Sequence, residues 1–224
     1  MFGNRTIFGC IDEYDSCVFI IPLKGSSDAP GGFEKILRYQ RAPHEIRTDN
    51  GPEFQSLAWG EVLSKHKIKL NSFGPPHTPT KQSRIERMWR TLANKSRACM
   101  IGLDKRLTDL SYLYVSYSYM CRERKFKEEN GTKVAMTPFE RRYGIVPSKT
   151  KLKRFGCLTF VHNFNTNSKM DLVRWIPSAF CGYNPKGIAY LVANFNEAGE
   201  SVLMETGHAK FHEQYLVANL ILII

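Results

Sequence analysis

The chain has 224 residues, 42% hydrophobic and 24% charged, enough for one large or two small globular domains. No apolar run approaches the ~18 residues a membrane-spanning helix needs. Residues 1–25 lack the cationic start and apolar block of a secretory leader, so no membrane partner is expected. The formal net charge of +11 points to a polyanionic partner without saying which.

In chain order, Thr6–Ile11 and Cys17–Leu23 are β-rich runs on either side of Asp12-Glu13-Tyr14-Asp15, and they predict a hairpin. Residues 25–32 are rich in Gly, Ser, Asp and Pro and predict a loop. Phe33, Ile36 and Leu37 have helical spacing, predicting a helix over 33–40. A short strand over 44–47 ends at Thr48-Asp49-Asn50-Gly51, then a helix over 53–66 and a strand over 68–71 follow. Gly74, Pro75, Pro76 and Pro79 make 72–80 a loop. Long helices are predicted over about 81–101 and 107–123. A third begins at Thr137-Pro138-Phe139-Glu140, with Thr137 as N-cap and Glu140 at the capping-box position. After Pro147 short β-type runs (158–162, 179–183, 189–193, 201–205) predict a small separate β unit. The earlier alternation of strand and helix predicts an α/β layered domain.

The six cysteines include no C-x-x-C pair, which argues against a structural zinc site and for reduced, intracellular, mostly core thiols. Two carboxylates stand at positions suited to chemistry. Asp49 lies where a strand gives way to a turn, although a plain turn residue is the ordinary reading. Glu86 lies on the long helix. At ~100° per residue from Glu86, Ile85, Trp89, Leu92, Ser96 and Cys99 fall between about −60° and −140°, a buried stripe. Arg97, Arg90, Ser83, Asn94 and Arg87 fall between about +20° and +100°. Glu86 thus sits on the shoulder between core and surface, beside arginines that can meet phosphates. The ordinary reading is an i,i+4 ion pair with Arg90. The positive charge is concentrated, with eight Lys or Arg in 81–106 and eleven in 122–154, blocks suited to a phosphate backbone.

Taken together these motifs resemble a known family. Ile46-Arg47-Thr48-Asp49-Asn50-Gly51-Pro52-Glu53-Phe54 resembles the retroviral-type integrase signature around its second acidic residue. His77-Thr78-Pro79-Thr80-Lys81-Gln82-Ser83-Arg84-Ile85-Glu86-Arg87 resembles the loop and helix start that carry the third, and the 36 residues between Asp49 and Glu86 match the family spacing closely. Met88-Trp89-Arg90-Thr91-Leu92, Thr137-Pro138-Phe139-Glu140 and Tyr143-Gly144 resemble blocks of copia-type LTR retrotransposon integrases. Leu152-Lys153-Arg154-Phe155-Gly156-Cys157 and Phe180-Cys181-Gly182-Tyr183 resemble the small Src-homology-like β-barrel that follows that core.

The resemblance implies an α/β, RNase H-like mixed sheet flanked by helices over 1–146, a small β-barrel over 150–215 and a tail over 216–224. It implies metal-dependent 3′-processing and DNA strand transfer in a Pol polyprotein, with Mg2+ or Mn2+ held by an Asp-Asp-Glu set. Asp49 and Glu86 match the second and third ligands. Lys81, Gln82, Arg84, Arg87, Arg90, Asn94 and Arg97 are expected to face DNA. The implied partners are element ends and target DNA, in a homo-oligomer that reaches the nucleus after a cytoplasmic particle stage. The family's first Asp is expected on the order of 10–20 residues before Asp12, at or before Met1, and residues 1–11 hold none. The strand carrying it is central, so without it the sheet is expected to open between two neighbours and the chain to be inactive alone. Asp12 is a weak substitute, because site geometry must hold within ~0.5 Å. Gln82-Ser83 also stands where the family has Asn-Gly. The competing expectation is a non-enzymatic nucleic-acid-binding remnant of a transposon.

Overall fold

Strand β1 (Thr6–Ile11) pairs antiparallel with β2 (Val18–Leu23), Phe8 opposite Ile21 and Gly9 opposite Ile20, as the hairpin reading expects. The acidic tetrapeptide builds the turn. Asp12 Oδ1 accepts from the Tyr14 and Asp15 amides, and the buried Asp15 accepts from the Cys17 amide. Short carboxylates folding back on their own backbone stabilise such turns. The computed structural model describes residues 6–49, 51–72, 83–128, 130–162, 175–184, 189–195 and 201–217. Among the described residues no helix is long and apolar enough to cross a membrane. The chain divides into two compact units, Met1–Thr91 and Leu92–Ile224, each with its own core.

In the first unit the two faces of the hairpin carry different layers. Phe8 and Leu23 belong to a core with helix α1 (Ala29–Leu37) and helix α2 (Leu57–Lys65). Phe33 stacks on Trp59 at 5.2 Å and Phe54 meets Trp59 edge-on at 4.9 Å. Each such ring pair adds roughly 0.5–1.5 kcal/mol beyond its burial. The opposite face carries Gly9, Val18 and Ile20, and a Cβ at Gly9 would stand 2.7 Å from Trp89 Cζ2 and 2.8 Å from Ile20 Cδ1. Gly9 is thus the close-approach point for the Trp89 indole. Strands β3 (Glu45–Thr48) and β4 (Lys69–Ser72) pair in parallel. Among the described residues β1–β2 and β3–β4 are two separate ladders and not one sheet.

Three expectations for this unit are corrected. Helix α1 begins at Ala29, not at residue 33, because Pro30 is placed at the first turn and the helix runs close to β2. A Cβ at Gly32 would lie 3.0 Å from Leu23 Cδ2, so the glycine read as loop permits helix–strand contact. The helix expected over 53–66 is a 3-10 turn, Pro52–Gln55, followed by α2. The break falls at Ser56, whose Oγ caps α2 by accepting from the Trp59 amide at 3.2 Å. Helix α3 (Ser83–Cys99) begins in the first unit and ends in the second. Its expected start at 81–82, the 73–80 part of the loop and the 218–224 part of the tail lie outside the described residues.

In the second unit helix α4 (Thr108–Met120) packs on a five-stranded antiparallel sheet of β7 (Cys157–His162), β8 (Trp175–Tyr183), β9 (Tyr190–Phe195), β10 (Ser201–Thr206) and β11 (Ala209–Leu216). The spatial order is β10-β9-β8-β7-β11. Strands β10 and β11 are therefore opposite edges, yet only Gly207 and His208 join them. Four strand spacings of ~4.8 Å put flat edges ~19 Å apart, whereas three Cα steps of ~3.8 Å reach ~11 Å. The sheet must curl enough to bring the end of β10 and the start of β11 within that reach. Gly182, at φ 126° beside a register shift in β8, supplies one bend. Strand β11 was not expected as a separate element. Nor was the hairpin of β5 (Arg124–Lys127) and β6 (Lys133–Met136), whose turn carries Gly131 at φ 84°. Helix α5 (Pro138–Tyr143) has the expected capping box, and its chain reverses at Gly144 in the left-handed region. The six cysteines are free thiols, with Cys17, Cys121, Cys157 and Cys181 buried.

Candidate active site

Strand β3 delivers Asp49 to its carboxyl end, directly after the buried Thr48. Asp49 is exposed, and its Oδ1 accepts from the Gly51 amide at 3.2 Å. A second carboxylate stands on the other side of that glycine. A Cβ on Gly51 would be 2.9 Å from Glu53 Oε2 and 3.1 Å from Asp49 Oδ1, so glycine leaves room for both acids. Glu53 was visible in the motif but was not singled out, because nothing in its spacing shows that the 3-10 turn folds it back. Asn50 of the same motif lies outside the described residues.

Glu86 is exposed in the first turn of α3, where a carboxylate complements the helix dipole. Among the described residues it forms no ion pair with Arg90, so the ordinary i,i+4 reading is not realised. Of the stripe beneath it, Leu92 and Ser96 are buried and Trp89 lies over Gly9, and Met88, at the border of that arc, is buried as well. Asp49 and Glu86 belong to the same unit, at a strand end and a helix start. Their hard oxygen donors suit a cation such as Mg2+ in type. Among the described residues, however, no group of three or more His, Cys, Asp or Glu is close enough to hold a metal ion. Asp12 does not complete one, since its Oδ1 is committed to the hairpin turn.

The residues expected to face DNA separate into three kinds. Lys81 and Gln82 lie outside the described residues. Arg84 turns inward to the hairpin, donating from Nη1 to the Glu13 carbonyl at 2.8 Å and from Nη2 to Ser16 Oγ at 2.6 Å. It clamps a turn in which Ser16 has φ 64°. Arg87, Arg90, Asn94 and Arg97 are exposed along α3, with Arg97 Nη1 donating to Asn94 Oδ1 at 3.2 Å. Near the end of β3, Arg47 bridges Glu13 and Glu45, and the Asn71 amide holds the Glu45 carboxyl below its usual range.

No family model matches the chain. Over 210 residues it is 26% identical to the Retrovirus-related Pol polyprotein from transposon RE1 of Arabidopsis thaliana, covering 91% of this chain. Over 197 residues it is 26% identical to the Retrovirus-related Pol polyprotein from transposon TNT 1-94 of Nicotiana tabacum, covering 85% of this chain. The chain spans only 14% of the length of either relative. Among solved structures, a chain of the simian T-cell lymphotropic virus intasome in complex with PP2A regulatory subunit B56 gamma matches with TM-score 0.50 and 16% identity. That match covers 92% of this chain and 71% of that one. The HTLV-2 integrase catalytic core domain in complex with magnesium (trimeric form) matches with TM-score 0.47 and 16% identity, over 61% of this chain and 84% of that one. The homologues of this chain are therefore retrovirus-related Pol polyproteins of plant copia-type transposons, and its fold is of the RNase H-like α/β class.

Proposed function

We propose that this chain is the core region of a retrotransposon integrase and acts in DNA integration, with Asp49 and Glu86 as two of its metal-binding carboxylates. One observation carries the reading. Both acids are exposed at a strand end and a helix start of one compact unit, within the motif series that resembles integrases. A bound divalent ion would supply activation of an attacking hydroxyl and stabilisation of the leaving oxygen. The exposed arginines of α3 would hold the phosphate backbone, in an oligomer working on element ends and target DNA in the nucleus. Replacing magnesium by Fe2+ under peroxide tests the ligand assignment without needing activity. Backbone cuts clustering near residues 49 and 86, and lost in both Asp49→Asn and Glu86→Gln, are expected. Cuts unaffected by either change would overturn it.

A second reading is favoured by the absence of a three-carboxylate cluster among the described residues. In it the chain alone binds duplex DNA without joining it. Incubation with an element-end duplex, a target duplex and Mn2+ is expected to give complexes and no joined product. Joining that disappears on Glu86→Gln would reverse that expectation.

A further inference from the structure

In the first unit the strand end that carries Asp49 and the helix start that carries Glu86 are fastened to the same turn. Among the described residues the β1–β2 and β3–β4 ladders share no backbone pairing, so core packing and side chains set where their ends lie. The turn between β1 and β2 is a firm anchor. The Asp12 amide donates to the Cys17 carbonyl at 2.9 Å, and the Ser16 amide donates to the Asp12 carbonyl at 3.0 Å. The carboxylates of Asp12 and Asp15 take up the Tyr14, Asp15 and Cys17 amides.

On the helix side, Arg84 straddles this turn, with Nη1 on the Glu13 carbonyl at 2.8 Å and Nη2 on Ser16 Oγ at 2.6 Å. Trp89 lies against Gly9 of the same hairpin, so α3 is held to it at a second point. Glu86 follows Arg84 by two residues, ~3 Å along the axis at 1.5 Å per residue. On the strand side, Arg47 Nη1 meets Glu13 Oε1 at 3.3 Å, and Arg47 Nε donates to Glu45 Oε1 at 3.2 Å. The same Glu45 oxygen accepts from Asn71 Nδ2 at 2.8 Å, which ties the bridge into β4. Asp49 follows Arg47 by two residues. Glu13 is therefore the meeting point, its carbonyl serving the helix and its carboxylate the strand.

We propose that Glu13 and Ser16, through Arg47 and Arg84, are positioning residues that hold Asp49 and Glu86 at the separation at which they bind a divalent ion. The inference rests on the metal-binding reading of those two acids and adds the groups that orient them. Partners that orient ligating side chains change metal affinity by about 10–100-fold. A guanidinium fork fixes two acceptors at once, which the point charge of a lysine does not. Two measurements on the full chain test it. Mn2+ binding, read by electron paramagnetic resonance well below the melting temperature, is expected to weaken about 10-fold in Arg84→Gln, with Arg84→Lys recovering part of the loss. Glu13→Gln is expected to weaken it by less than about 5-fold, since its ion pair is exposed. A purely structural Arg84 would lower the melting temperature and leave this affinity unchanged. Separately, Ser16→Ala removes the Oγ acceptor, keeps a Cβ at φ 64° and leaves the sequence of α3 intact. Without metal, it is expected to speed hydrogen exchange at the amides of residues 87–90 in α3. Mn2+ affinity that falls in Asp49→Asn and Glu86→Gln but not in Arg84→Gln overturns the positioning and leaves the metal reading standing. Faster exchange at 87–90 in Ser16→Ala, in a chain whose Mn2+ affinity ignores Asp49→Asn and Glu86→Gln, keeps the fastening and overturns the metal reading. Neither effect overturns both.

Discussion

Arg84 shows how one side chain changes meaning between sequence and structure. On the helical wheel it belongs with the arginines that meet phosphate, yet its guanidinium holds the Glu13 carbonyl and Ser16 Oγ. Arg84→Ala is expected to destabilise the first unit by about 1.5–3 kcal/mol, the range for hydrogen bonds to charged groups. Denaturant unfolding followed by tryptophan fluorescence reads this, while the salt slope of duplex binding should change by less than one phosphate contact. Tyr114 carries a different residue-scale consequence. Its hydroxyl donates to the Lys153 carbonyl at 2.8 Å, and burial pushes its pKa up to about 12. Unfolded tyrosine ionises near ~10. The stabilisation from keeping it neutral is therefore complete below about pH 10 and is lost as pH rises through about 12. Tyr114→Phe is expected to cost about 1 kcal/mol at neutral pH. It should also make the melting temperature fall less steeply between about pH 10 and 12, with Tyr117 and Tyr183, both likewise raised by burial, still contributing to the fall.

At the scale of elements, helix α5 is the segment most directly dictated by local chemistry. Thr137 Oγ1 accepts from the Glu140 amide at 3.0 Å, the Thr137 amide donates back to Glu140 Oε2, and Gly144 at φ 68° ends the helix. Thr137→Ala is expected to lower stability by about 1 kcal/mol in thermal unfolding, and Thr137→Ser to restore most of it. Elements whose signals are local in this way were legible: the β1–β2 hairpin, α3 with its buried stripe, and α5. Elements decided by distant partners were not. Gly31-Gly32 reads as loop, yet both lie in α1, where the missing side chain of Gly32 lets the helix approach Leu23 of β2. Strand β5 reads as a charge run because only Phe126 of its four residues is buried. Asn130-Gly131 was nonetheless a usable turn signal for that hairpin. Strand β11 is irregular, with a register shift between His212 and Leu216 that blurs its alternation. At the candidate site, the placing of Asp49 at a strand end and Glu86 at a helix start was legible from the motif around each, whereas nothing in the sequence shows the turn that sets Glu53 against the same glycine as Asp49.

For the whole molecule the governing quantity is the net charge of +11 and where it is exposed. A diffuse excess of lysine and arginine would attract any polyanion weakly, with no residue mattering more than another. Here the exposure is organised. Arg87, Arg90 and Arg97 lie on the surface of α3, while Arg84 of the same helix is taken up by the hairpin. The integration reading therefore makes unequal demands on four arginines that the sequence treats alike. Arg87→Gln/Arg90→Gln/Arg97→Gln is expected to lower the salt slope of duplex binding by about 2–3, at about 0.9 per phosphate. It should leave the melting temperature within a degree or two, since exposed substitutions usually change stability by less than ~0.5 kcal/mol. Duplexes of unrelated sequence should respond alike, because contacts to phosphate fix position without reading bases. Fluorescence anisotropy at several salt concentrations measures both properties. A slope unchanged by the triple substitution would remove the exposed face of α3 from the DNA interface and leave the basic block of residues 122–154 to carry the binding.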